Sequence, residues 1–304
     1  MILQQLAERA SRGVHTTVSV AGANDREVLE AVYKAIGLKI SRFILFGAKK
    51  EIIEILESCR EGLSENPAIQ IREADTPEIA AQEAVKAVSN KEADILMKGN
   101  VATSAILKQV LNKEYGLRTD LVLSHVALFE LPEFGRPLLL TDAAMNIAPD
   151  AGQKAQIIRN AAAVARKLGI SRPLVACLAA VETVNPSMPA TLDAEELTRM
   201  NKSGEIEGCI VEGPLAFDAS ISEEAALQKG IRGEVAGKAD ILLVPSIEVG
   251  NALYKSFVYF GKAKVASIIA GAKAPIVLTS RSDSAEAKLH SLALAVCAAG
   301  DIPQ

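Results

Sequence analysis

APIVLTSRSDS, residues 274–284, changes character in its middle. Pro275, Ile276, Val277 and Leu278 are apolar and partly β-branched, the pattern of a strand covered on both faces. Thr279, Ser280, Arg281, Ser282, Asp283 and Ser284 are all polar. Residues 285–299, AEAKLHSLALAVCAA, then carry Leu289, Leu292, Ala293 and Val296 at helical spacing. Asp283 or Ser284 is placed to cap that helix, and Glu286 stands three residues after Asp283, as in a capping box. The stretch therefore predicts a buried strand that passes through hydroxyls and one guanidinium into a helix N-terminus. Backbone N–H groups, the helix dipole and Arg281 would then share one target, an anion. The same residues also read as a well-capped helix with a surface arginine, and the stretch alone leaves both readings standing.

Strand-to-helix steps of this kind recur from the start of the chain. An amphipathic helix is expected over residues 2–10 and a β-branched strand over 14–20. A helix capped by Asn24 or Asp25 follows to about residue 36. A strand at 42–46, a helix at 49–59, a short strand at 69–71 and a helix from Thr76-Pro77 to about 89 come next. Then come a strand at 93–97 and a helix at 103–112. Four alternations predict a parallel sheet with helices on both faces, an α/β fold of the doubly wound kind. The middle differs: LVLSHVALFE (121–130) and PLLLT (137–141) read as consecutive, antiparallel strands. A long helix is expected over 152–168. Alternation resumes with strands at 173–179, 209–212 and 239–244 and helices at 194–200, 222–228 and 251–260. ADIL occurs at both 93–96 and 239–242, each copy starting a strand and each followed by a Gly-Asn pair.

Composition narrows the function classes. The chain has 304 residues, 49% hydrophobic and 23% charged, with no Trp and a formal net charge of −4. That is ample for one large or two ordinary α/β domains. No basic stripe or aromatic ladder suggests nucleic acid. No signal peptide or membrane-length apolar run is read, so a cytoplasmic protein with no membrane partner is expected. Cys59, Cys177, Cys209 and Cys297 form no CxxC and read as reduced thiols, mostly core. His15, His125 and His290 show no metal-ligand spacing, and no metal is expected. GxGxxG, GxSxG and an Asp-x3-Asp pair are absent from the sequence.

Four further strand-end loops carry candidate chemistry. Lys98, Gly99 and Thr103 combine a cation, a close-approach backbone and a hydroxyl at a helix start, which suits a phosphate or carboxylate but also describes an ordinary βα turn. Asp142 and Asn146 flank small residues at a strand end, where they either leave room for a ligand or build a turn. Asp218 follows Gly213-Pro214. Asn251 is expected to cap a helix on which Lys255, four residues on, shares its face, either as solvated surface or as a phosphate contact. Cys177 and Cys209, in buried strands without an adjacent histidine, make poor nucleophiles.

Taken in order, LMKGNVAT (96–103), LNKEYGLR (111–118), SHVALFE (124–130), TDAAMNI (141–147), AVETVNP (180–186), EGPLAFD (212–218), IEVGNALYKS (247–256) and PIVLTSRSDS (275–284) resemble the phosphate acetyl/butyryl transferase family, and its butyryl branch more closely. The likeness runs from about Ala93 to the C-terminus. It implies two doubly wound α/β domains facing a cleft, as in isocitrate and isopropylmalate dehydrogenases. The first would be discontinuous, residues 1–132 plus 281–304, the second residues 133–280, and the active site would lie in the cleft. The implied reaction is acyl-CoA plus phosphate giving acyl phosphate plus CoA, reversibly, in a homo-oligomer built from dimers. Coenzyme A is then a substrate, and no tightly bound cofactor is expected. Ser280 and Arg281 fall on the family's Ser-Arg pair, Arg281 to bind the phosphoryl group or thioester carbonyl and Ser280 to stabilise the oxyanion. The acetyl branch has an aspartate six residues after that arginine. Here the position is Ala287, which leaves Glu286 or Asp283 as the base. Lys108 stands where relatives carry an arginine, a monodentate phosphate contact. Ala102 replaces a common histidine, and Glu212 replaces an aspartate. Phosphate acetyltransferase activity and non-catalytic binding of CoA or acyl phosphate are the competing expectations.

Overall fold

The structure, a computed structural model, describes residues 2–12, 16–279 and 283–300. The chain opens with α1 (Ile2–Ser11) and then alternates: β1 (Thr17–Ala21), α2 (Arg26–Gly37), β2 (Arg42–Gly47), α3 (Lys49–Cys59), β3 (Ile69–Glu73), α4 (Pro77–Ser89), β4 (Ile95–Lys98) and α5 (Thr103–Val110). β5 (Ser124–Glu130) and β6 (Leu138–Thr141) follow without a helix between them. Next come α6 (Ala151–Lys167), β7 (Leu174–Leu178), α7 (Pro189–Lys202), β8 (Ile210–Leu215), α8 (Phe217–Ile221), α9 (Glu223–Gln228), β9 (Ile241–Leu243) and α10 (Ile247–Tyr259). β10 (Lys264–Ala270), β11 (Ile276–Val277) and α11 (Ala285–Ala299) complete the order. Met1–Leu121 with Val265–Gln304 form one compact unit, and Val122–Lys264 form another. These boundaries differ from the expected 132 and 280.

In the first unit the strands lie in the order β3-β2-β1-β4-β11-β10. β3, β2, β1, β4 and β11 are parallel, and β10 runs antiparallel to β11. Every residue of β4 is buried, so both faces of the sheet are covered there. Helix starts carry the expected chemistry. The Asp25 side chain accepts from Val28 N at the start of α2, and Thr76 accepts from Ile79 N just ahead of Pro77 in α4. β11 is shorter than its apolar run, but its pairing with β4 through Ile276↔Leu96 and Val277↔Met97 brings this late segment back into the first unit. That pairing, and β10 beside it, explain why the boundary falls before residue 265.

In the second unit the order is β5-β6-β9-β7-β8. β5 and β6 are antiparallel, as the missing helix between them requires, and β6, β9, β7 and β8 are parallel. Asp150 and Gln153 form a reciprocal capping box at the start of α6. The repeated ADIL performs one job twice. Thr17 N donates to Asp94 Oδ2 at 2.8 Å and Asp94 N donates to Thr17 O at 2.8 Å. Leu174 N donates to Asp240 Oδ2 at 2.9 Å and Asp240 N donates to Leu174 O at 2.8 Å. Each aspartate ties the start of its strand to that of the neighbour.

Three expectations are corrected by local chemistry. α7 begins at Pro189 rather than 194, because proline is well placed at a first helical position. α10 begins at Ile247 behind Ser246, so Asn251 lies within the helix and does not cap it. α11 is capped by Ser284, whose Oγ accepts from Ala287 N at 3.2 Å. Its N3 position is therefore Ala287, and Glu286 closes no capping box.

Candidate active site

The first unit presents its candidate residues at the C-terminal ends of adjacent parallel strands. Lys98 ends β4, is 6% exposed, and its Nζ donates to Gly99 O at 3.0 Å. Gly99 is required by packing: a Cβ there would stand 2.2 Å from Gly22 O. Gly99 N donates to Ala21 O and Asn100 N to Gly22 O, so the turns after β1 and β4 cross backbone on backbone. Thr103 is the exposed first residue of α5, whose N-cap is Ala102. Lys108 is exposed in the last turn of that helix. Five residues separate it from Thr103, about 7.5 Å along the axis.

β11 pairs in parallel with β4, and α11 is the next element in the chain. Ser280 and Arg281 lie outside the described residues. Asp283 and Glu286 are described. Asp283 O accepts a hydrogen bond from Lys288 Nζ. Glu286 Oε1 is 3.9 Å from His290 Nε2, one turn along, and its side chain is 58% exposed. Lys288 was not singled out in the sequence, although it is 3% exposed. A lysine in a helix otherwise rich in Leu, Ala and Val is the signal that could have found it. A cavity of about 310 Å³ in this unit, lined by Val88, Asp94, Leu117, Lys273 and Pro275 among others, opens at the other, N-terminal ends of β4 and β11. It does not contain the candidate residues.

In the second unit the Asp142 turn packs against α10. The carboxylate of Asp142, 2% exposed, accepts from Ala144 N, Met145 N and Asn146 N at 2.9–3.2 Å and from Asn146 Nδ2 at 2.6 Å. Asn146 Nδ2 also donates to Leu123 O. A Cβ on Gly250 would stand 2.7 Å from Asp142 O, so α10 lies directly on this turn. Asn251 is the next residue and is exposed, as is Lys255 one turn on. Lys255 Nζ lies 5.5 Å from the ring of Tyr254, which in turn lies 5.8 Å from the His125 ring. Asp218 lies on α8, where the ring of its neighbour Phe217 is 5.9 Å from that of Phe257 on α10.

Electrostatics separate these residues by role. The Lys229 ammonium, 2.8 Å from Asp218 and 2.7 Å from Glu182, holds the Asp218 carboxyl below its usual range and is itself raised. Glu212 accepts from Glu234 N and Val235 N at 3.0 Å. Burial pushes the Cys177 thiol up to about 12 and those of Cys209 and Cys297 to about 11. These are packing thiols, as the sequence implied. Among the described residues no helix is long and apolar enough to cross a membrane.

Comparison with known proteins gives these loops a family. The model of the Phosphate acetyl/butaryl transferase family matches residues 68–296. A probable phosphate butyryltransferase of Bacillus subtilis is 53% identical over 98% of both chains. A phosphate acetyltransferase of Thermotoga maritima is 47% identical over 97% of this chain and 98% of its own. The crystal structure of a branched-chain phosphotransacylase from Enterococcus faecalis superposes with a TM-score of 0.83 at 42% identity, covering 93% of this chain and 99% of the other. The strand-end loops, the α/β units that carry them and matches of this extent agree: the chain belongs to the phosphate acetyl/butaryl transferase family.

Proposed function

We propose that the chain catalyses reversible transfer of a butyryl or branched short-chain acyl group between coenzyme A and inorganic phosphate. The observation that carries this reading is the 53% identity, over 98% of both chains, to a probable phosphate butyryltransferase. The likeness to a branched-chain phosphotransacylase supports it. Acetyl transfer is the second reading, favoured by the 47% identity to a phosphate acetyltransferase.

The transfer runs directly within a complex of both substrates. The attacking species is a phosphate oxygen in one direction and the CoA thiol, with a pKa of about 8.5, in the other. A modest base suffices for such a thiol. The greater tasks are holding two anionic partners together and stabilising the carbonyl oxyanion. Arg281 and Ser280 are assigned the oxyanion and the phosphoryl group. Lys98, with the start of α5 at Thr103, provides positive potential, and Gly99 lets the two turns pack closely. Lys108, Asn251 and Lys255 are exposed cations and an amide suited to the phosphates of CoA. Asp142 acts through the turn it builds and the orientation it gives Asn146. Asp218 acts through its ion pair with Lys229. Glu286 is the assigned base: Ser284 takes over the capping, and most of the Glu286 side chain faces solvent. Asp283 is the alternative.

The test is phosphate-dependent release of free thiol from butyryl-CoA, isobutyryl-CoA and acetyl-CoA in parallel. The expected result is strong release with the four-carbon substrates and little with acetyl-CoA. Preference for acetyl-CoA would establish the second reading. Binding of CoA without release from any substrate would refute both.

A further inference from the structure

The cavity of about 310 Å³ in the first unit lies at the ends of β4 and β11 away from the candidate residues, and acyl transfer as described makes no use of it. Its size is near the lower end of the roughly 300–1,000 Å³ of small-molecule pockets. Main-chain bonds fix its walls. Asp94 N donates to Thr17 O at 2.8 Å, Leu96 N to Pro275 O at 3.2 Å and Lys273 N to Leu117 O at 2.9 Å. The cavity is therefore shaped by backbone rather than by the choice of a side-chain rotamer.

Three kinds of group line it. Val88, Leu117 and Pro275 supply an apolar wall. Lys91 and Lys273, both exposed, supply cations. Asp94 supplies a carboxylate, of which Oδ2 accepts from Thr17 N at 2.8 Å and the other oxygen is left for a further donor. Ser89 and Ala299, the last residues of α4 and α11, also line it, so the negative ends of two helix dipoles reach the same space. Lys273 Nζ donates to Gly116 O at 3.4 Å, and neither lysine is ion-paired with Asp94 among the described residues. Charges of both signs thus share one cavity without neutralising each other. An anion alone would meet Asp94 and two helix C-termini, and a cation alone would meet two ammonium groups. A zwitterion with an aliphatic body suits all three walls.

We propose that this cavity is a regulatory site for a small aliphatic α-amino acid. The carboxylate of the ligand goes to Lys91 and Lys273, its ammonium to Asp94 and the carbonyl ends of α4 and α11, and its side chain to Val88, Leu117 and Pro275. The regulatory role rests on the acyl-transfer reading: the ligand bridges the starts of two paired strands, β4 and β11, that lead to Lys98 and Thr279.

The test is calorimetric titration of the full chain with L-leucine and with three probes that each lack one feature. These are 4-methylpentanoate without the ammonium, 3-methylbutylamine without the carboxylate and glycine without the aliphatic body. Leucine should bind saturably, and each of the others about tenfold more weakly or worse, the loss of one charged or apolar contact. Lys91→Gln combined with Lys273→Gln removes both cations from exposed positions. Asp94→Asn removes the carboxylate charge and keeps an oxygen for Thr17 N. Each variant should weaken leucine binding by about tenfold or more. The lysine variant should do so at an unchanged thermal midpoint, which separates lost binding from lost folding. Absence of saturable leucine binding would overturn the proposal. So would any of the three probes binding as tightly as leucine, or unchanged leucine affinity in both variants. Thiol release from butyryl-CoA at saturating leucine should show kcat or the KM for phosphate moved by about fivefold. Leucine binding without such a change would overturn the regulatory role. The titration uses neither acyl-CoA nor phosphate, so its failure is distinct from failure of the acyl-transfer reading.

Discussion

A carboxylate that accepts four hydrogen bonds from one turn is committed to that turn. Asp142 is such a residue, and its neighbour in the family motif, Asn146, is held by it. Asp142→Asn would turn one acceptor into a donor facing the Asn146 amide. The expected cost is about 2–3 kcal/mol of stability, read as a lower urea midpoint. Arg281→Ala should do the opposite, with kcat falling at least a hundredfold and the urea midpoint unchanged. Exchanged outcomes would mean that the two roles are assigned the wrong way round. The sequence singles out both positions without saying whether either binds a ligand or builds a turn. An aspartate at a strand end has the same letters whether it binds a ligand or builds a turn, and only its burial and the directions of the nearby N–H groups distinguish the two.

Elements were most legible where local chemistry and burial agree. α2 and α4 announce themselves through Asp25 and Thr76-Pro77, and each cap forms, whereas the Asp150 capping box of α6 emerged only in the structure. β10 was not foreseen: KVASIIA lacks both clean alternation and a continuous apolar run, and a sequence does not show the neighbour it pairs with, here β11 through Ile269↔Ile276. Nor was the tie between α6 and α7. Lys154, 4% exposed, donates to Asp193 Oδ2 at 2.5 Å. No periodicity rule predicts a buried lysine on a helix, because its partner stands 39 residues away. Lys154→Met should cost about 2 kcal/mol, less than the 3–5 of a fully buried pair, since the Asp193 side chain keeps 29% exposure. Adding Asp193→Leu should recover part of the loss. A double variant less stable than Lys154→Met would show that the pair contributes net stability beyond its desolvation cost.

For the whole molecule the question is whether the acyl group ever rests on the protein. A two-step route needs a nucleophile that attacks the thioester and is later displaced by phosphate, and cysteine is the side chain most suited to it. At pH 8 the Cys177 thiol lies about four units below its raised pKa of about 12, leaving a thiolate fraction of about one in ten thousand. Cys209 and Cys297, at about 11, are little better placed. Cys59 is half-buried at the end of α3, and its thiol too is raised by burial. The chain instead offers cations and helix starts at the strand ends of its two units, the equipment for holding two anions at once. Initial rates with acyl-CoA and phosphate varied together should therefore give intersecting rather than parallel reciprocal plots. Alkylation with iodoacetamide at pH 8 should leave turnover within about twofold of the untreated protein, because the thiols it can reach do no chemistry. Parallel plots together with a trapped acyl-thioester on the protein would refute direct transfer and require a thiol whose surroundings change when substrate binds.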